Sequence, residues 1–188
     1  MRTPSRLVSA AAGVALVVGL ALVSAGCGSS SGSSVSPAEA KNIRAVGALV
    51  AAIAGINAEL DRQHKLGGNL SQEIKKKGLT PALRRELVRV FEPAVKHFSS
   101  IRQRLDLAAP AADPLLAKTQ RTLSQWLARQ VEADQLPVSA RTNAEYFSRT
   151  KAVSRKIIRL TRRLETLAPR VQRKYPGVSD WKFLPNSS

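Results

Sequence analysis

One cysteine, one methionine, two tryptophans, two tyrosines and four phenylalanines are all that 188 residues contain of these types. Each scarcity removes a class of function. The single thiol, Cys27, can form no disulfide within the chain and cannot supply the Cys-x-x-Cys-His that holds a c-type haem. Met1 is the only methionine, so no thioether is available as a ligand inside a folded core. The two histidines, His64 and His97, follow Asp61 and Ala94 at three-residue spacing, and neither completes the Glu-x-x-His pair of a di-iron helix bundle. No metal or cofactor is therefore expected. There is no Gly-x-Ser-x-Gly turn and no Gly-rich loop after a strand, so nothing places a nucleophile beside a base. The expectation is that the chain is not an enzyme.

Acidic residues are also scarce, 13 against 30 Lys and Arg, for a net charge of +17. A surface of one sign attracts anions. No aromatic RNA-binding motif and no zinc-finger spacing accompanies that charge, so nucleic acid is not the expected partner.

What is present begins with a leader. Met1 to Arg6 carries two arginines and no acid, and Leu7 to Val23 is almost entirely apolar, the order of an export signal. A membrane-spanning helix over Leu7 to Ala25 is the alternative, since a span takes roughly 20 residues. The segment closes on Ser24-Ala25-Gly26-Cys27 and continues into a Gly/Ser tract to Ser34. These residues resemble the lipobox of small bacterial lipoproteins, and the Ala and Arg usage resembles that of a high-GC, actinobacterial source; Ser24 stands where Leu is commonest. The resemblance implies cleavage before Cys27, lipidation (palmitate among the acyl groups) of that residue, and a place on the extracytoplasmic face of the cell membrane. Two or more acyl chains would anchor stably where one would not. Under this reading residues 1–26 are a signal peptide, 27–36 a lipidated cysteine and flexible tether, 37–175 a helical domain and 176–188 a tail. The mature chain has 162 residues (188 less 26) and a charge of +15, two arginines having left with the signal.

Four helix starts follow. Ser36-Pro37 with Glu39 forms a capping box, Thr80-Pro81 and Asp113-Pro114 repeat the cap-plus-proline device, and Ser139 is read as the cap of the last helix. Apolar residues recur at three- and four-residue spacing: Ile43, Val46, Val50, Ile53, Ile56 and Leu60 in the first helix; Leu83, Leu87, Val90, Ala94, Phe98, Ile101 and Leu105 in the second. The third offers Leu116, Thr119, Leu123, Trp126 or Leu127, and Gln130 or Val131; the fourth runs from Tyr146 and Thr150 through Val153, Ile157, Leu160, Leu164 and Leu167 to Val171. Short linkers predict an all-α, up-down antiparallel four-helix bundle, with the second helix kinked or split at Pro93. Residues 45–56 are apolar throughout, twelve residues and so too short to cross a bilayer; they suit the central helix of the bundle or, through Gly47, Ala51 and Gly55, a groove or dimer seam. Gly67-Gly68 reads as a helix stop. In the tail, Trp181, Phe183 and Leu184 either fold back or bind a partner protein.

Between Arg141 and Lys174 there are eleven Lys and Arg and two acids. Arg155, Lys156, Arg159, Arg162 and Arg163 fall off the apolar stripe of the fourth helix and form the candidate polyanion-binding face, for anionic lipids or cell-wall polymers; a merely solvated face is the alternative. Lys75-Lys76-Lys77 and Arg84-Arg85 make a second basic cluster. Two functions stay open: a non-catalytic binding or interaction module, and an electrostatic adaptor to polyanions. An apolar cavity between helices would favour the first.

Overall fold

The computed structural model describes residues 35–184, which hold six helices: α1 (Pro37–Gly67), α2 (Leu70–Lys77), α3 (Pro81–Leu107), α4 (Pro114–Asp134), α5 (Leu136–Ser139) and α6 (Asn143–Lys174). Helix accounts for 82% of them and no strand occurs among them, so the all-α class holds. The leader, Cys27 and the Gly/Ser tract lie outside the described residues.

Three of the four helix starts sit where the capping residues place them. Ser36 Oγ accepts from the Glu39 amide at 3.2 Å, Thr80 Oγ1 from Leu83 at 3.3 Å, and Asp113 Oδ1 from Leu115 and Leu116 at 2.7 and 3.1 Å. The fourth is a correction: Ser139 ends the short α5, and Thr142 caps α6. Thr142 Oγ1 accepts from the Glu145 amide at 3.1 Å while the Glu145 carboxylate accepts from the Arg141 amide at 2.8 Å, a reciprocal pairing of the capping-box kind.

α3 buries all seven residues of its expected stripe. It also runs through Pro93 without splitting. Proline has no N–H for the Arg89 carbonyl, but Leu87, Val90, Ala94 and Phe98 are buried on both sides of it and hold the helix to its neighbours. One turn before the proline, the Val90 carbonyl takes a bond from Arg62 of α1 at 2.7 Å.

α1 buries its expected stripe only in part, with Val46 and Leu60 partly buried against the core. Ala45, Leu49, Ala52, Ile53 and Ile56 are buried, whereas Ile43 and Val50 are 59% and 40% exposed. An apolar run on all sides carries no phase, and the small residues decide it. A Cβ on Gly55 would come within 2.9 Å of Ile101 Cδ1, so α3 lies close against this helix and a larger residue there would require the Ile101 side chain to shift. Gly47, by contrast, faces open space. The apolar stretch is also longer than its uninterrupted run: an 18-residue window of α1 has a mean hydropathy of 1.6, long and apolar enough to cross a membrane by length and composition, as the core helix of a folded domain also can be.

α4 packs on both α3 and α6, and α1 packs on α3 with a smaller contact to α4. The tail completes this core: Val178, Trp181 and Leu184 are buried in it. Phe183 lies 5.1 Å from Trp126 and 5.9 Å from Trp181 between ring centroids, and Asn57 Nδ2 donates to the Asp180 carbonyl at 2.7 Å. A second, smaller cluster of Ile74, Leu79, Leu83 and Leu87 forms beneath α2, with Leu70, Phe91 and Tyr146 at its margin.

Candidate functional site

α2 is the element that shapes the site. It is not among the four helix starts read from the sequence, but Leu70 and Ile74, one turn apart, give it an apolar edge that rests on α3. Gly78, at φ +71° and ψ −179°, takes a positive-φ extended conformation that favours glycine and turns the chain into the Thr80 cap. Between α2, the last turns of α1, the first half of α3 and the start of α6 lies an open groove of about 700 Å³. Leu60, Leu70, Ile74, Leu87, Phe91 and Tyr146 supply its apolar wall. Phe147, 44% exposed, stands at the edge, its ring 5.4 Å from that of Tyr146. Polar atoms come from Gln63, His64, Ser71, Lys75 and Thr150, and no Asp or Glu lines the groove.

Behind one wall sits a buried polar cluster. Glu59 Oε1 accepts from Arg62 Nη2 at 2.6 Å, and Glu59 Oε2 lies 3.0 Å from His97 Nδ1. Burial works to raise the Glu59 carboxyl, but the bonds from Arg62 and His97 outweigh it and hold the group below its ordinary value; the same bond raises Arg62. Gln63, which lines the groove, donates to Asp134 Oδ2 at 3.0 Å. Burial pushes the Asp134 carboxyl up to about 7, and the Glu59 charge adds to the push against the bond from Gln63. Among the described residues no group of three His, Cys, Asp or Glu is placed to hold a metal ion. His97, partly exposed, is the partner of the buried Glu59. His64 lines the groove.

The basic residues of α6 divide between two flanks. Lys156, Arg159 and Arg163, at three- and four-residue spacing, line a shallow recess of about 560 Å³ together with Arg102 of α3 and Arg129 of α4. Asp106 and Glu132 answer Arg102 and Arg129, at 3.4 and 2.5 Å. No ion pair to Lys156, Arg159 or Arg163 forms among the described residues. Arg155 and Arg162 are exposed and lie outside the recess. No family model, curated protein or solved structure matches this chain.

At the start of α4, Asp113 joins three segments. Beyond its two capping bonds, its carboxylate takes a hydrogen bond from Lys174 and one from the Tyr175 hydroxyl at 3.0 Å, and its amide donates to Asn42 of α1 at 2.9 Å. The Lys174 bond leads in holding the Asp113 carboxyl at about 2, against its burial and helped by the capping amides. Sequence reasoning identified Asp113 as a cap and missed its role as a tie between helices.

Proposed function

We propose that this chain is an extracytoplasmic, membrane-anchored lipoprotein that works as a non-catalytic binding module, capturing an apolar ligand in the groove beneath α2. The groove carries this reading. About 700 Å³ of space with a mostly apolar wall and a few polar groups at the edge falls within the roughly 300–1,000 Å³ of typical small-molecule sites. The placement at the membrane rests on the sequence, on the apolar segment ending at Cys27. The scaffold is read as an up-down antiparallel four-helix bundle of α1, α3, α4 and α6. Two sets of contacts support this: Asp113 gathers the start of α1 and the end of α6, and Gln63 with Asp134 gathers the ends of α1 and α4. The test is binding of N-phenyl-1-naphthylamine, a neutral apolar fluorophore. The native chain is expected to enhance its emission, and Thr150→Trp, which fills the groove, to abolish the enhancement. No enhancement by the native chain, or one that survives the filled groove, overturns the reading.

A second reading is favoured by the recess of Lys156, Arg159 and Arg163: electrostatic adaptor to anionic lipid or wall polymers. Each basic residue near an anionic surface is worth on the order of 1 kcal/mol, and the attraction is screened over roughly 8 Å at physiological salt. Reversing these three to Glu is expected to abolish low-salt binding to vesicles containing phosphatidylglycerol. Reversing Arg155 and Arg162 is expected to weaken it less. Equal losses would assign the effect to diffuse charge.

A further inference from the structure

The groove has a chemical polarity that narrows its ligand, given the binding reading above. Its wall is hydrocarbon and aromatic over the Leu60, Ile74, Leu87 and Phe91 side, where α1, α2 and α3 meet. A polar substrate would leave its own hydrogen-bonding groups unanswered there, at a cost that an acyl chain does not incur. Phe147 remains 44% exposed at the edge, a ring whose apolar face a hydrocarbon ligand would cover. The polar lining is cationic or neutral: Lys75 and His64 with Gln63, Ser71 and Thr150, and no carboxylate. Charge of one sign beside a low-polarity cleft favours a ligand with the opposite charge at one end.

We propose that the groove takes a single-chain anionic amphiphile of the fatty-acid type, its hydrocarbon chain along the Leu60–Ile74–Leu87–Phe91 wall and its carboxylate at Lys75. A cationic amphiphile would meet Lys75 with like charge, and a neutral one would gain only the apolar contact. The peptide or second-copy occupant that an open groove can also accept has no such requirement for a detached negative head.

The experiment is displacement of N-phenyl-1-naphthylamine from the purified full chain by palmitate, hexadecanol and hexadecyltrimethylammonium, which share a chain length and differ at the head. Palmitate is expected to displace at the lowest concentration and the ammonium compound at the highest. Lys75→Glu, an exposed change on α2, is expected to weaken palmitate about five- to tenfold, the scale of losing one partly exposed ion pair and adding a like charge. Hexadecanol should be unaffected by it. Thr150→Trp should abolish binding of all three; if that variant loses helicity, Ser71→Trp on the exposed side of α2 replaces it. Equal displacement by palmitate and hexadecanol, or a Lys75→Glu effect shared by both, overturns the anionic assignment while leaving a ligand-binding groove. Failure of the fluorophore itself to bind, or binding indifferent to the filled groove, removes the groove reading and this inference with it.

Discussion

Asp113 and Asp134 stand at the two ends of α4, each 8% exposed, yet one carboxyl is held at about 2 and the other is pushed to about 7. The small exposure they share hides unequal surroundings: desolvation leads at Asp134, whereas at Asp113 the bond from Lys174 outweighs it. At the N-terminus, two free amides, Lys174 and Tyr175 all donate to Asp113, and the helix dipole favours its negative charge. At the C-terminus the same dipole opposes a negative charge, Glu59 adds a second one, and Gln63 is the donor that answers. The contrast extends to the surroundings. Beyond Asp113 the chain leaves α6 and packs Val178, Trp181 and Leu184 into the core, closing it. Beyond Asp134, Gln63 forms part of the wall of an open groove. Poorly satisfied charge and unfilled apolar space lie together at this end of the molecule.

Removing the seal is the harshest way to break that contrast. Trp181 is buried, with its indole N–H on the Val178 carbonyl at 3.3 Å and its ring beside Phe183. Trp181→Ala is expected to cost about 3–5 kcal/mol, the range for deleting a buried aromatic, read as a lowered denaturant midpoint. An effect below about 1 kcal/mol, the scale of a surface change, would mean that the tail decorates the core rather than closes it.

Next in size, and opposite in sign, is Asp134→Asn. The folded pKa of about 7 lies above the ordinary 3.8, so between those two pH values the folded chain holds a proton that the unfolded chain has lost. Stability therefore falls as pH rises through this window and stays lowered above it. Asparagine keeps the acceptor for Gln63 and removes the charge. It is expected to stabilise on the order of 4 kcal/mol at pH 8, from about 1.4 kcal/mol per pH unit over that window, and to change little at pH 4. Melting temperatures at the two pH values check this. A variant no more stable than the native chain at pH 8 would show that Asp134 is ionised at little cost and that the two ends of α4 are alike.

Particular residues show how far the sequence could be read. Leu83 to Leu105 form a stripe against a polar background, and every member is buried. In α1 the apolar residues surround the helix, so the pattern alone does not separate Ile43 and Val50 from Ala45 and Leu49, and packing against α3, close at Gly55, selects the phase. Ser139 is a capping residue type and reads as the start of the last helix, although Thr142 with Glu145 three residues later carries the capping-box signal. Glu59 was legible in principle: it stands three residues beyond Ile56 on the buried face, where an acid requires a partner. The groove was not legible, because it forms from parts of four helices between Leu60 and Thr150, and α2, at eight residues, is too short to announce itself by periodicity. The basic recess needed α3 and α4 to separate Lys156, Arg159 and Arg163 from Arg155 and Arg162.

The smallest of the three effects belongs to the well-satisfied end. Asp113→Ala removes the α4 cap and the tie to Lys174 and Tyr175 together. Lys174 is exposed, so its ion pair adds little in water, and the loss is governed by the cap, about 1–2 kcal/mol. The pH dependence separates this carboxylate from Asp134. A folded pKa of about 2 lies below the ordinary 3.8, so the stabilisation is complete above 3.8 and disappears as pH falls through that interval. Native chain and Asp113→Ala should then differ at pH 6 and converge towards pH 2. Asp113→Asn, which keeps a capping oxygen for the amides of Leu115 and Leu116, should recover part of the loss at pH 6 and show less of the acid-dependent change. If Asn and Ala were equally destabilised, the contribution of Asp113 would lie in its charge, through Lys174 and the α4 dipole. If Asn matched the native chain at every pH, the charge would contribute nothing. The difference between the two ends of α4 would then come from the penalty at Asp134 alone.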